Sequence, residues 1–382
     1  MTGSTADVPA VAVVGVHGHG ASHVARALQA RAEGRARLTA VADPRAAEAD
    51  HVPADVARHA SLEDLLAAGV PDVVVLSTPI HTHAELATAA MEAGAAVLLE
   101  KPPTATPAEL DALLATSRRT GRPCQVGFQS LGSRAVDHVR GRVADGRLGE
   151  VTGWAATGCW TRPRSYWQRS SWAGRRVLDG RVVADGVLTN PLAHSLATAL
   201  AVAGRQAAGD VLAVDPDLYR VNDVEADDTS SLRVRLRESP DLLAAVTLCA
   251  GERGEPAVVV EGTAGRATLY YAVDVVVEEV PGRPPLVTRH ARADLLDDLL
   301  AHLRTGAPLL SPLERTGAFT AVLDAVTRSP APHRVAERFV ERVPLPGGDE
   351  HRRLRGVEEA VALALSRRAL FRELDLPWTR TP

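Results

Sequence analysis

The sequence predicts an α/β protein in two parts. The first, over residues 1–127, is an N-terminal doubly wound parallel sheet. The second, over residues 128–345, is an α+β domain with a large mixed or antiparallel sheet, and a helical extension follows over 346–382. Three observations support this. Short apolar runs alternate with helical stretches as far as residue 128, the pattern of βαβ units. Beyond that point several strand-like runs follow one another without helices, which implies hairpins. A length of 382 residues suits two domains better than one.

In order, Val11–Val14 reads as a buried strand, followed by a Gly/His-rich turn and a helix through Ala25 to about Ala32. Leu38–Ala42 is the second strand. Ser61, with Glu63 and Asp64, starts a helix. Asp72–Leu76 is a third strand, Ala84–Ala93 a helix ended by Gly94, and Ala96–Leu99 a fourth strand. Thr106-Pro107-Ala108-Glu109 forms a capping box with proline at the first helical position, and its helix runs to Gly121. Pro123–Phe128 closes this part. In the second part Val151–Trp160, Ser230–Leu236, Leu242–Ala250, Ala257–Glu261, Ala267–Tyr271 and Val273–Glu278 read as strands. Helices are expected near 133–144, 192–203, 292–304 and 313–328, with a last amphipathic helix over roughly 353–374.

Composition narrows the function. A formal charge of −4 argues against a nucleic-acid or anionic-membrane partner. No run of eighteen apolar residues predicts a membrane span, and the start of the chain shows no leader pattern. Cys124, Cys159 and Cys249 are odd in number and widely spaced, so a reducing, cytoplasmic setting is expected, without disulfides or a metal site. Lys101 is the sole lysine against 42 arginines. Ile80 is the one isoleucine, and Asn190 and Asn222 the only asparagines. Such a bias marks a GC-rich gene, in which a surviving lysine is a candidate for work that arginine cannot do, such as proton transfer.

The chemistry-bearing residues sit at strand ends, where open α/β sheets bind ligands. Gly15-Val16-His17-Gly18-His19-Gly20 lies between the first strand and first helix. Glycines there let the backbone approach a pyrophosphate at the positive helix N-terminus. The spacing is G-x-x-G-x-G rather than G-x-G-x-x-G. Asp43, at the end of the second strand, is placed to hold a ribose 2′-hydroxyl. It would repel a 2′-phosphate and favour NAD, whereas the nearby Arg45 leaves NADP as the alternative. Ser77, Thr78 and Pro79, with His83, follow the third strand, and Glu100-Lys101-Pro102-Pro103 follows the fourth. Each element alone has an ordinary reading: a turn, a helix-terminal histidine, a surface lysine.

Together they are more specific. The glycine turn with trailing His23, Ala42-Asp43-Pro44, Thr78-Pro79 with His83, and Glu100-Lys101-Pro102 resemble, in order and spacing, the glucose-fructose oxidoreductase / inositol dehydrogenase / rhizopine-catabolism family. Asp227-Asp228-Thr229, Glu261-Gly262-Thr263-Ala264-Gly265 and Leu323–Ser329 extend the resemblance to about residue 345. It implies a Rossmann domain binding NAD, a homodimer or homotetramer, and a lysine touching substrate and nicotinamide. It also implies an aspartate and a catalytic histidine in a D-x-x-x-H motif. Here that motif reads Asn190-Pro191-Leu192-Ala193-His194, and a second aspartate common in the family is Ala197. His194 remains; Asn190 can hydrogen-bond a hydroxyl but takes no proton.

The second part also holds a local aromatic concentration. Trp154, Trp160, Trp167 and Trp172 fall together with Tyr166 and are interleaved with Arg162, Arg164, Arg169 and Arg175, in a chain only 3% aromatic. The candidate substrate contacts are Gln129, Trp160, Arg162, Tyr166, Trp172, Asn190 and His194. The expected function is an NAD(P)-dependent oxidoreductase moving hydride between nicotinamide and a secondary alcohol or carbonyl of a sugar, cyclitol or other polyol. Lys101, His194 and Asn190 are its candidate catalytic residues. The alternatives are a non-catalytic dinucleotide-binding sensor or scaffold, motivated by Asn190 and Ala197, and an NAD-assisted lyase or glycosidase.

Overall fold

The computed structural model describes residues 8–380. Residues 1–7, where no leader is expected, and the last two residues of the expected helical extension lie outside the described residues. The chain forms two compact units. One comprises Met1–Gly132 and Ala293–Arg315, the other Ser133–Arg292 and Thr316–Pro382.

The first unit begins with β1 (Ala10–Val14), α1 (His19–Ala32), β2 (Arg37–Ala42), β3 (Ala57–His59) and α2 (Leu62–Ala68). It continues with β4 (Val73–Leu76), α3 (His83–Ala93), β5 (Ala96–Leu99), α4 (Pro107–Thr120) and β6 (Cys124–Val126). The strands order β3-β2-β1-β4-β5-β6 and all pair in parallel. Val73–Leu76 and Ala96–Leu99 are buried at every position, as expected where helices cover both sheet faces. The order reverses between β1 and β4, which makes the ends of those strands the topological switch point. Thr106 caps α4 and Glu109 closes the box on it, so that helix starts where the sequence predicts.

The second unit continues with α5 (Arg134–Ala144), β7 (Val151–Cys159), α6 (Arg164–Trp167), the short β8 (Val177–Leu178) and β9 (Arg181–Val182), and α7 (Ala193–Val202). Strands β10 (Val211–Arg220), β11 (Thr229–Leu236), β12 (Leu242–Thr247), β13 (Ala257–Gly262), β14 (Arg266–Tyr270), β15 (Val275–Glu279) and β16 (Leu286–Arg289) follow. Then come α8 (Leu295–Thr305), α9 (Gly317–Arg328), β17 (His333–Arg334), β18 (Val340–Pro344), β19 (Glu350–Leu354) and α10 (Val357–Arg367). The large sheet is mixed and nine-stranded, in the order β16-β15-β14-β13-β7-β12-β11-β10-β17. A Cβ on Gly158 would strike Leu192, just before α7, and one on Gly153 would strike Arg368, just after α10. These positions are five apart in β7, so the two helix ends lie on opposite faces.

The units differ from the three consecutive segments expected at 127/128 and 345/346. Helix α8 belongs to the first unit because Leu295, Leu296, Leu299 and Leu300 join Val11, Val13, Val73, Val75 and Leu98 in one core. Gln125 secures it, donating through Nε2 to the Leu295 carbonyl and to Asp298. The C-terminal extension is part of the second unit, where Leu354, Val357, Val361, Phe371 and Trp378 pack with Tyr219 and Ala245. The expected helix over 353–374 is shorter. Gly356, at φ 75, separates β19 from α10, and Arg368, at φ 52, ends it.

Candidate active site

Strand β1 delivers the glycine turn and α1 leaves it. A Cβ on Gly15 (φ 80) would lie 2.2 Å from the Ser77 carbonyl oxygen, and one on Gly20 1.9 Å from the Gly15 oxygen. Both positions therefore require glycine, for the tight turn and for close helix–strand packing. Their spacing, five apart, is that of the first and third glycines of the G-x-G-x-x-G fingerprint. His17 stands at the middle one. Its Nε2 lies 3.1 Å from the Arg45 carbonyl oxygen and 3.9 Å from Asp43 Oδ1.

Asp43 supports this turn from the end of β2. Its Oδ2 accepts from the Val16 N–H at 3.1 Å and its Oδ1 from the Arg45 N–H at 2.8 Å. Each oxygen has a further lone pair for a ribose hydroxyl. Beyond β4, buried His83 bridges two loops. Its Nε2 lies 2.8 Å from the Thr78 carbonyl and its Nδ1 2.7 Å from that of Pro102. Burial pushes its pKa down, and the neutral ring can donate to only one of them. Thr82 donates to Thr78 Oγ1, and Pro79 precedes the short turn leading into α3.

Glu100, at the end of β5, organises the centre of the first unit. Its Oε1 accepts from His23 Nε2 at 2.9 Å and Gln129 Nε2 at 2.8 Å, and its Oε2 from the Lys101 N–H at 3.0 Å. His19 Nε2 lies 3.3 Å away. Burial alone would push this carboxyl up, but the hydrogen bonds and charge of His19 and His23 hold it well below the usual carboxylate range. Gly127 leaves room for it, since a Cβ there would come within 2.7 Å of Oε1. His19, His23 and Glu100 present three donor atoms within 4.8 Å of one another. No metal site was expected from sequence, where no pair of the three cysteines has ligand spacing. His19, His23, Gln129 and the Lys101 N–H surround this carboxylate.

In the second unit Asn190 and His194 lie in the turn before α7 and in its first residues. Asn190 Nδ2 donates to Asp185 Oδ1 at 2.5 Å. Buried Asp185 also accepts from Arg169 at 2.8 Å and from the Gly174 N–H at 2.7 Å. The Arg169 guanidinium lies 3.8 Å from the Tyr166 ring centroid and 4.6 Å from that of Trp172. Arg162 lies 4.9 Å from the rings of both Trp160 and Tyr166, and Arg253 4.8 Å from that of Trp160. Most of the expected substrate contacts of this unit thus form one cluster continuous with Asn190. Trp154 does not belong to it; it is buried in the sheet and donates to Ser239.

Sequence reasoning missed Asp185 and Arg253. Asp185 was visible as the one acid in the loop leading to the N-x-x-x-H motif. Arg253 lies in a Glu/Gly-rich turn with no local signal. The first unit carries Lys101 and Gln129, and the second carries Asn190 and His194.

Residues 10–128 match the oxidoreductase family, NAD-binding Rossmann fold. Over this segment the chain is similar to the glucose-fructose oxidoreductase / inositol dehydrogenase / rhizopine-catabolism family. An inositol 2-dehydrogenase 1 of Saccharopolyspora erythraea is 41% identical over 116 residues, 29% of this chain and 34% of that protein. A D-glucoside 3-dehydrogenase of Escherichia coli is 34% identical over 118 residues, 30% of this chain and 33% of that one. The matched segment thus spans about a third of the curated relatives' length. The WlbA dehydrogenase of Bordetella pertussis, solved with NADH and UDP-GlcNAcA, shares the fold: TM-score 0.68, 23% identity, 84% of this chain and 96% of that one.

Proposed function

We propose that the chain is an NAD-dependent oxidoreductase acting on a secondary alcohol or carbonyl of a sugar, cyclitol or related polyol. The observation that carries this is the glycine turn: Gly15 and Gly20 are obligatory by contact, Asp43 underpins them, and sole Lys101 stands past β5 at the same sheet edge. These residues fit a dinucleotide, because a turn without side chains at 15 and 20, opening α1 at its N-terminus, admits a pyrophosphate. Bound NAD would supply the hydride acceptor or donor. Gly15, Gly18 and Gly20 would hold its phosphates, with Ser77, Thr78 and Pro79 beside them, and Asp43 would hold the ribose.

Lys101 would polarise the reacting oxygen and His194 would take the hydroxyl proton. Asn190 takes no proton; fixed by Asp185, it would orient a substrate hydroxyl. We further propose a cytoplasmic homodimer or homotetramer. Three free cysteines support the setting, and exposed Leu286 and Val287 on edge strand β16 support the assembly. Among the described residues no helix is long and apolar enough to cross a membrane.

The test is calorimetry with NAD(H) and NADP(H), then a sugar and polyol panel followed by nicotinamide absorbance. Tighter NAD(H) binding with turnover of one class is expected. Tighter NADP(H) binding would give control of the ribose site to Arg45. Cofactor binding without turnover across the panel would favour the sensor reading, which Asn190 motivates.

A further inference from the structure

We propose that the arginine–aromatic cluster of the second unit is a subsite for an anionic oxygen group, carboxylate or phosphate, carried by the substrate, with Arg162 as its principal ligand and Arg253 beside it. This rests on the oxidoreductase reading and narrows its substrate to an acidic or phosphorylated sugar or cyclitol.

Three observations carry it. First, the Arg162 guanidinium is held between two rings, 4.9 Å from Trp160 and 4.9 Å from Tyr166, and Arg253 covers Trp160 at 4.8 Å. Stacking fixes the plane of a guanidinium; Arg162 Nη1 donates to the Thr161 carbonyl at 3.4 Å, which leaves Nε as the donor without a protein partner. Second, neither Arg162 nor Arg253 forms an ion pair among the described residues, whereas neighbouring Arg164 and Arg169 reach Glu350 and Asp185. Third, among the described residues four of the twelve buried polar side-chain atoms without a partner fall within residues 160–170: Trp160 Nε1, Arg162 Nε, Trp167 Nε1 and Ser170 Oγ. The three nitrogens are pure donors and the hydroxyl can donate. A buried donor left unpaired costs about 1–3 kcal/mol, so a concentration of them calls for a ligand that accepts.

Three carboxylates of this region are already engaged. Asp185 receives Arg169, Gly174 and Asn190. Asp349 receives the N–H groups of Ser165 and Glu350, and Glu358 that of Gly251. A neutral polyol brings hydroxyl donors, and Asp185, Asp349 and Glu358 already hold N–H partners. A carboxylate or phosphate brings acceptors only and matches the surplus of donors and positive charge.

The experiment is calorimetric titration of matched pairs, glucose against glucuronate and myo-inositol against inositol monophosphate, into the protein with and without NADH. The anionic member of at least one pair should bind about tenfold to a hundredfold more tightly than its neutral partner. The arm that responds identifies carboxylate or phosphate. The preference should fall below about threefold in Arg162→Gln and in Arg253→Gln and be reduced but not abolished in Arg162→Lys, which keeps the charge and loses the planar fork. Thermal melts confirm folding, and exposed Arg253 serves if Arg162→Gln does not fold. Equal binding within both pairs, or a preference indifferent to both substitutions, overturns the subsite. Turnover of neutral polyols without anion preference does so too, yet leaves the oxidoreductase reading intact. Anion preference with no nicotinamide turnover keeps the subsite and sinks that reading instead.

Discussion

Glu100 gathers N–H donors from α1, from its own loop and from the turn after β6, which fixes the backbone at Lys101 next to it. The neighbouring lysine was legible from sequence because arginine bias made it conspicuous and Glu100-Lys101-Pro102 gave it context. Its partner carboxylate's network was not legible, since His23 and Gln129 meet Glu100 only through the parallel sheet. Asp185 was visible as an acid near the N-x-x-x-H motif, but its network was hidden for a similar reason. Its bonds to Arg169, Gly174 and Asn190 are made by a folded loop, and no spacing rule announces them. At Lys101 the expectation is sharp. Lys101→Ala and Lys101→Arg should each lower kcat/KM by about 10²–10⁴, the usual effect of removing a positioned acid–base or electrostatic group. Arginine keeps the charge but is a broad fork that is almost never deprotonated. NAD affinity, measured by calorimetry, should change little, because the glycine turn and Asp43 hold the cofactor. Near-full turnover of Lys101→Arg would remove the lysine from the chemistry.

Elements with a strong local pattern form where the sequence places them, and those that depend on distant partners do not announce themselves. The β1 turn, the capped α4 and the all-apolar β4 and β5 are of the first kind. Strand β10 is of the second: Asp215-Pro216-Asp217 interrupts its pattern, yet it pairs with β11 along its length. Proline is tolerated there because β17 adjoins β10 only at Tyr219 and Arg220, leaving an open edge beside Pro216. The hairpin of β18 and β19 was likewise not expected; it lies before the expected last helix and overlaps it only at Arg353 and Leu354. Two predictions belong here. Gly20→Ala would drive a Cβ into the Gly15 carbonyl; it should cost more than about 2 kcal/mol in chemical unfolding and weaken NAD binding at least tenfold. A normally stable variant with unchanged NAD affinity would contradict the packing argument. Asp227, buried just before β11, has its pKa pushed up to about 6 by burial. Its folded pKa is raised, so its stabilising contribution is present below the unfolded carboxyl's pKa and is lost as pH rises through the folded value. Unfolding free energy should therefore fall by up to about 3 kcal/mol between pH 4 and pH 6 from this group and then level. Asp227→Asn, keeping the shape and the bond with Ser230, should flatten that slope and be the more stable protein at pH 7. An unchanged slope in the variant would assign the pH dependence elsewhere.

At the scale of the whole molecule the chain crosses between its units more often than the sequence suggests. Periodicity reports each helix's apolar face but not which sheet that face meets, so α8, amphipathic on Leu295, Leu296, Leu299 and Leu300, reads equally well in either unit. The same blindness applies to surfaces between copies. Strand β16 closes one end of the nine-stranded sheet, and its Leu286 and Val287 are 45% and 62% exposed. They are adjacent and so point to opposite faces. Natural edges are usually blunted by charge, proline or cover, and an apolar one is more economically explained by a second copy pairing there under two-fold symmetry. Light scattering at micromolar concentration should therefore find a species of at least twice the 40.3 kDa chain mass. Leu286→Asp combined with Val287→Asp should raise its dissociation constant at least tenfold, since burying two unpaired carboxylates at such a contact is strongly unfavourable. The monomers so released should keep the NAD affinity of the first unit. A 40.3 kDa species alone in the unmodified protein, or an assembly indifferent to the double substitution, would place the contact elsewhere or remove it.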